Sequence, residues 1–566
     1  MSILYVDLTE GAFSLLPKTP ESGLALAIKL YKRYEGKAMV LASPKKESVR
    51  YPGATNFIIA FKSPLSDRLE FQYSNQPPGY SLFKMGYEAV VIIGKATRLS
   101  YISIYPGANA IYQCEQMRGA SSSSFEQIAG KNINDTFLST GRASDNGVKF
   151  ASVVCGGKAI PGAGLGYVFA SMNIKGIAFQ GFFRKDDLAN DKAAMRFVHK
   201  IESSKFSRRI RKNGANCFID DANRLGWLPV MNYSKRFDPR AYSLDGISFT
   251  EAFGNFPDSC QECFLACGRR KKDNSILPSW QECMALGTNL GFFDPRTVSS
   301  FVDASYEEGL DPVHLGAILA YVSSLNDSNL EVLSLSGKTK EEYIRLIHSI
   351  GESRGVGAIF REGLKGFPDA IQNSYGGAIL ADLRGSYSSA ILTSLGLDIV
   401  LPAGLILPKK ELNAKCAATL TFYELCYTLA LLSYGYGPIV TACIFWDKLP
   451  SFVFSSPLLL RFSSHCFSVY GLKGKDLLRK GMEILDELDL SFCDIPEHFK
   501  MDVESNKNTS TVPLLTLQSL FDYEKSKASI YLKSKRDIIR APKGKIKAAV
   551  APDEDLGLDG DPGLIK

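Results

Sequence analysis

Residues 294–324 read Asp-Pro-Arg-Thr-Val-Ser-Ser-Phe-Val-Asp-Ala-Ser-Tyr-Glu-Glu-Gly-Leu-Asp-Pro-Val-His-Leu-Gly-Ala-Ile-Leu-Ala-Tyr-Val-Ser-Ser, two helices written with their start and stop signals. Asp294 is a capping side chain and Pro295 takes the first helical position, where a missing N–H leaves nothing unsatisfied. Val298, Phe301, Val302 and Ser305 mark one face, and Gly309 supplies a stop. Asp311 and Pro312 then repeat the opening, and Leu315, Ile318, Leu319 and Val322 fall at i, i+3, i+4 and i+7, an apolar stripe for burial.

Upstream of about residue 190 the period is different. Ile3 to Leu8, Lys37 to Ala42, Asn56 to Phe61, Ala89 to Gly94, Tyr101 to Tyr105 and Val148 to Val154 are short β-branched or aromatic runs bounded by Gly, Pro, Ser or Asp, as strands are. Strands first and helices afterwards predict a segregated α+β fold, a β-rich N-terminal domain followed by two mainly α-helical domains. The expected divisions are 1–205, 206–400 and 401–566, about three domains for 566 residues.

Twelve cysteines are present, and three of them, Cys260, Cys263 and Cys267, lie within eight residues. A C-x2-C-x3-C run presents three sulfurs on one tight loop, as iron–sulfur clusters require, with a fourth cysteine from elsewhere. Structural zinc, with Cys283 as the nearest fourth ligand, and three unligated thiols are the alternatives. The other nine cysteines show no disulfide framework, which argues for a reducing compartment. The start, MSILYVDLTEG, has no signal-peptide pattern, so a cytoplasmic location is expected.

The most apolar stretches, 388–407 and 451–471, are broken by Asp398, Pro402 and Gly404 and by Pro457, Arg461 and His465, so no membrane span is predicted. The formal charge of +7 is mild. Basic clusters occur at Arg208 to Lys212, at Arg269 to Lys272 and from Lys525 to Lys547, without the interleaved aromatics of a nucleic-acid groove. The first and third read as solvated faces; the second adjoins the cysteine loop, where positive charge also suits an acidic electron carrier. Gly162-Ala-Gly164-Leu-Gly166 reads as a tight turn rather than a phosphate loop, because its third glycine falls too early for G-x-G-x-x-G.

Several blocks, in order, resemble the aldehyde ferredoxin oxidoreductase family of tungsten-bispterin enzymes. They are Leu4 to Gly11, Lys62-Ser-Pro-Leu65, Ser74-Asn75, Gly86 to Ala96, Gly162 to Ile177, Gly226 to Asn232, the cysteine loop through Arg269, Glu282 to Leu290, and Gly309-Leu310-Asp311. The resemblance implies a [4Fe–4S] cluster on Cys260, Cys263, Cys267 and one distant cysteine. Cys443 is the best candidate; a rival alignment places Gly437 at that position and leaves Cys443 or Cys426 to serve from nearby. It also implies a tungsten (or molybdenum) bispterin contacted by Asn75, Gly164, Gly309, Leu310 and Asp311, with Glu282 as the catalytic proton acceptor.

The chain departs from the family pattern at telling places. Tyr306 stands where the first aspartate of D-x-x-G-L-D belongs, Asn56 replaces a phosphate-facing arginine, and A-G-R-G-G has become Pro161-Gly-Ala-Gly164. The active-site histidine falls near Ile399-Val400, and no histidine occurs between 349 and 464. Two functions follow. One is an oxidoreductase passing electrons from an aldehyde-type substrate through the cluster to a ferredoxin-like or other iron–sulfur partner. The other is a divergent subunit that kept fold and cluster but lost the metal–pterin, acting as relay or scaffold. A zinc-stabilised structural protein is a third reading, and the family resemblance suits either a homodimer or a multi-subunit redox complex.

Overall fold

The computed structural model describes residues 1–46, 48–49, 53–74, 76–132, 134–160, 162–182, 192–259, 263–325, 337–367, 391–392, 395, 397, 401, 414–448, 467, 473–488, 490 and 514–533. Asn75, Cys260, Pro161, Ile399-Val400, most of the stretches 388–407 and 451–471, and the basic run after 533 lie outside the described residues.

The β-rich part is two stacked sheets. The first contains β1 (Ser2–Asp7), β2 (Ala12–Leu16), β3 (Met39–Ala42), β4 (Phe57–Lys62), β5 (Leu69–Ser74) and β6 (Tyr87–Ile93), in the order β2-β1-β6-β3-β4-β5. The second contains β7 (Ser100–Ile104), β8 (Ala110–Gln113), β9 (Thr136–Thr140), β10 (Val153–Cys155), β11 (Lys158–Ile160) and β12 (Ile174–Phe179), in the order β11-β10-β9-β12-β7-β8. Each sheet is antiparallel except for one parallel pair, β1 with β6 and β7 with β12.

Side-chain alternation explains the layering. On β4, Phe57, Ile59 and Phe61 enter the core between the sheets, with Leu4, Val6, Ile102, Ile177 and Phe179. Ile58 and Ala60 of the same strand face the other way, into a core shared with helices. Both faces of β4 are therefore apolar, which is why its sequence shows no alternation of polar and apolar residues.

The two helices predicted from 294 to 324 form as Pro295–Glu308 and Pro312–Ser324. Asp294 accepts from the Thr297 N–H, Asp311 from the Val313 and His314 N–H groups, and Gly309 ends the first helix in the left-handed conformation. With the helix Lys340–Glu352 they bury Phe301, Leu315, Ile318 and Ile347 against Val148 and Phe150. The segment joining them is stitched to the sheet domain: Ser152 N–H donates to Gly309 O, Asp311 N–H donates to Phe150 O, and Leu310 bridges Ala151.

The outer face of the first sheet is covered by the helix Gly23–Arg33, on which the helix Ala414–Ser433 packs. Lys415–Ser433 is long and apolar enough to cross a membrane, with a mean hydropathy of 1.3 over 18 residues, all of which are buried. A helix apolar all round is satisfied by protein on every side, and here the helices Gly474–Glu487 and Leu514–Lys533 provide it. Gly23 admits the contact, since a Cβ there would lie 2.4 Å from the Ser433 Cα.

Candidate functional site

The short strands Phe256–Asp258 and Gly268–Arg270 pair in antiparallel register, and Cys263 and Cys267 are the described cysteines of the segment between them. Cys263 and Cys267 are free and half-buried. Burial chiefly, and then the neighbouring Cys267, pushes the Cys263 thiol up to about 12, while the backbone N–H groups of Leu265 and Ala266 oppose the rise by donating to its sulfur. Burial likewise raises the Cys267 thiol, against the attraction of Lys158. Donors aimed at a buried sulfur stabilise its thiolate, the form that binds metal. The turn that aims them places Ala266 at φ 43°, in the left-handed region. Among the described residues no three His, Cys, Asp or Glu side chains converge as a complete ligand set.

Three distant segments meet at this loop. Gly53, at φ +76°, backs onto Cys263, where an added Cβ would lie 3.1 Å from the sulfur. Asn56 N–H, three residues on, donates to Gly435 O at 3.0 Å, and a Cβ on Gly435 would lie 2.7 Å from the Ala54 carbonyl. A file of rings closes the circuit, with Phe264 6.1 Å from Phe197 and Phe197 5.5 Å from Tyr436. Cys443 follows in the helix Pro438–Lys448, fully buried. That helix packs on the helix Lys205–Asn213, which is followed by Ala215, whose N–H donates to Cys267 O. Cys426 lies elsewhere, its carbonyl covered by Gly481 of Gly474–Glu487. Cys283 accepts from the Asn216 amide at 3.6 Å.

Asn56 is completely buried, and neither its amide nitrogen nor its oxygen has a partner. An unpaired buried amide is costly, so it marks a place built for a further polar group. Sequence reasoning identified the substitution of arginine by Asn56 but not this orphaned amide, for which the sequence carries no signal.

The acidic residues form a second cluster, in which each carboxylate oxygen of Glu282 and Asp311 already accepts a bond from the protein. Glu282 completes a capping box with Ser279, its Oε2 accepting the Ser279 N–H at 2.7 Å. Its Oε1 accepts the Tyr306 hydroxyl at 2.5 Å. Asp311 uses Oδ1 for the helix cap and Oδ2 for the Gly162 N–H at 2.6 Å. Burial raises the Asp311 carboxyl to about 6, although those three N–H groups pull the other way. Gly164, at φ +74°, fits under the Lys149 carbonyl, and Gly309 lies against Gly141. Leu310 is fully buried.

Asp311 and the 162–164 turn are thus joined by the Gly162 N–H bond beside Gly309 and Leu310, while Glu282 is tied to Ser279 and Tyr306. A pterin needs acceptors that face it, and every described carboxylate oxygen of this cluster is already aimed at a donor of the protein, which makes the acids a poor fit for that group. The cysteine loop does fit a cluster, because its sulfurs are buried, close together and met by N–H donors.

The basic stretch after the loop is mostly engaged internally. Arg269 is buried, Arg270 pairs with Asp258 at 2.8 Å and Lys271 with Asp303 at 2.5 Å, leaving Lys272 exposed.

Comparison with known proteins agrees with this architecture. Residues 3–181 match the family described as aldehyde ferredoxin oxidoreductase, N-terminal domain, and residues 192–391 match its domains 2 and 3. A tungsten-containing aldehyde ferredoxin oxidoreductase of Pyrococcus abyssi is 26% identical over 349 residues, 57% of each chain. That of Pyrococcus furiosus is 28% identical over 308 residues, 51% of this chain and 50% of the relative. The chain thus spans about half the length of the curated relatives it matches. An aliphatic sulfonate oxidoreductase, WOR-like subunit, of Pyrococcus furiosus is 22% identical over 55% of each chain. Among solved structures, the active site complex BamBC of benzoyl coenzyme A reductase superposes with a TM-score of 0.65 at 14% identity, covering 96% of this chain and 99% of that one, a likeness of fold. With two adjoining family domains matched in order across residues 3–391, the chain belongs to the aldehyde ferredoxin oxidoreductase family, as a divergent member.

Proposed function

We propose that the chain is an oxidoreductase component of the aldehyde ferredoxin oxidoreductase type that handles electrons at its cysteine loop and has closed its acidic site. In this reading Cys260, Cys263, Cys267 and Cys443 hold a [4Fe–4S] cluster, which when bound supplies a one-electron carrier. The N–H groups of Leu265 and Ala266 would donate to the Cys263 sulfur once it is bound, and Gly53 lets the backbone approach it. Phe264, Phe197 and Tyr436 exclude water. A ferredoxin-like or other iron–sulfur protein is the partner, and a relative named as a subunit supports work within a larger assembly.

The observation that carries this reading is the bond from Tyr306 to Glu282. A proton acceptor for an aldehyde-derived carbon needs an oxygen facing substrate, and both oxygens of Glu282 are committed to the protein. The buried, unpaired amide of Asn56 favours a second reading, in which a metal–bispterin persists on neutral contacts and the chain oxidises an aldehyde-type substrate itself.

Elemental analysis of anaerobically purified protein separates them. About four irons per chain without tungsten or molybdenum is the expected result. Iron together with either metal, and aldehyde oxidation in solution, establishes the second reading instead. Zinc alone overturns both.

A further inference from the structure

Arg269 immediately follows the loop that ends Cys267-Gly268, and it has the surroundings of a core residue rather than of a docking charge. Its side chain is 7% exposed. Nη1 donates to Ala266 O and to Gly268 O, both at 2.7 Å, the carbonyls flanking Cys267 on either side. Nη2 donates to Ile210 O at 3.3 Å and Arg211 O at 2.7 Å, in the last turn of the helix Lys205–Asn213. A guanidinium placed there completes a helix C-terminus, where carbonyls lack partners and the helix dipole is negative. Gly214 leaves room for it, an added Cβ falling 3.4 Å from the Arg269 Cγ and 3.4 Å from Cys267 O.

A guanidinium has five N–H groups, and four are accounted for. The fifth, on Nε, is buried without a partner. A buried donor on a charged group is expensive to leave unmade, so the four carbonyl bonds hold this N–H toward an acceptor that the polypeptide alone does not supply. Nη1 of the same guanidinium holds the carbonyls on both sides of Cys267, so the sulfur of that residue is the acceptor that a bound cluster would make anionic.

We propose that Arg269 is the positioning and charge-compensating residue of the cluster, its fork clamped on the carbonyls around Cys267 and at the helix end, and its Nε–H donating to sulfur of the bound cluster. This rests on the loop holding iron and sulfur, as proposed above. A fixed positive charge in a low-dielectric site stabilises the more negative, reduced cluster, and hydrogen bonds to sulfur act in the same direction. Arg269 therefore raises the reduction potential, and its charge is spent inside the protein rather than on a carrier.

The test is a redox titration of the anaerobic full-length chain, read by electron paramagnetic resonance with iron content alongside. R269Q should keep iron but titrate at a lower potential than the parent, whereas R269K, which keeps the charge, should titrate close to it. Equal potentials in parent and R269Q at full iron content overturn the proposal and leave the cluster reading standing. Equal lowering in both variants also overturns it, since loss of the fork's packing would then explain the shift. A parent without iron overturns both. The unmodified protein gives an independent reading should R269Q not fold. With 15N-labelled arginine, the reduced cluster should show a 15N coupling by electron spin-echo modulation, and its absence at full iron content overturns the proposal.

Discussion

Tyr306 decides what Glu282 is available for. The hydroxyl bonds a carboxylate oxygen inside a site where both side chains are under a tenth exposed. Y306F is therefore expected to destabilise the protein by about 1–3 kcal/mol, the cost of leaving a buried polar group unpaired, measured by urea unfolding. Asp311 makes a pH-dependent prediction. Its folded carboxyl titrates at about 6 against an ordinary 3.8. Between those values the folded state holds more protons than the unfolded one, so stability falls as pH rises through the window. The full effect is about 3 kcal/mol at 1.36 kcal/mol per decade. D311N should remove that decline, so its stability relative to the parent improves from pH 4 to 6; a constant difference would refute it. Cys263 carries the third residue-level prediction, that C263A loses the iron and the broad visible absorbance of the parent, read by metal analysis and spectroscopy.

Among elements, the turn after the helix Ala414–Ser433 matters most, because it brings Tyr436 and the helix Pro438–Lys448 toward the cysteine loop. Gly435 sits at φ +86° with the Ala54 carbonyl against it. An alanine there adds the left-handed strain of a Cβ, about 1–2 kcal/mol, and a backbone clash. G435A should lower the melting temperature and also the iron content, since the 53–56 segment it displaces backs onto Cys263. Intact iron in a destabilised G435A variant would separate the turn from the site. The helices at 295–324 behave differently. Their caps, stops and apolar stripe are all local signals, and they form where the sequence places them.

At the scale of the whole molecule, the cations that follow the cysteine loop are neutralised or buried except for Lys272. Screening acts on exposed charges, so electron transfer to an iron–sulfur partner should change by about twofold or less between low and high salt, measured by stopped-flow. A steep loss with ionic strength would point back to an acidic carrier held by this stretch. The sequence by itself determined the fold class, because strand and helix periods, capping aspartates and stop glycines depend on neighbours within a turn or two. The spacing of the three cysteines is legible there too, since it is a local property. Only the tertiary structure decided which partners Glu282, Asp311 and Arg269 take. Each bonds groups 24, 149 or 58 residues away, as Tyr306, Gly162 and Arg211 show, and no periodicity encodes a contact across such a separation. The same holds for Asn56, whose backbone bonds Gly435 across the fold while its buried amide is left without a partner.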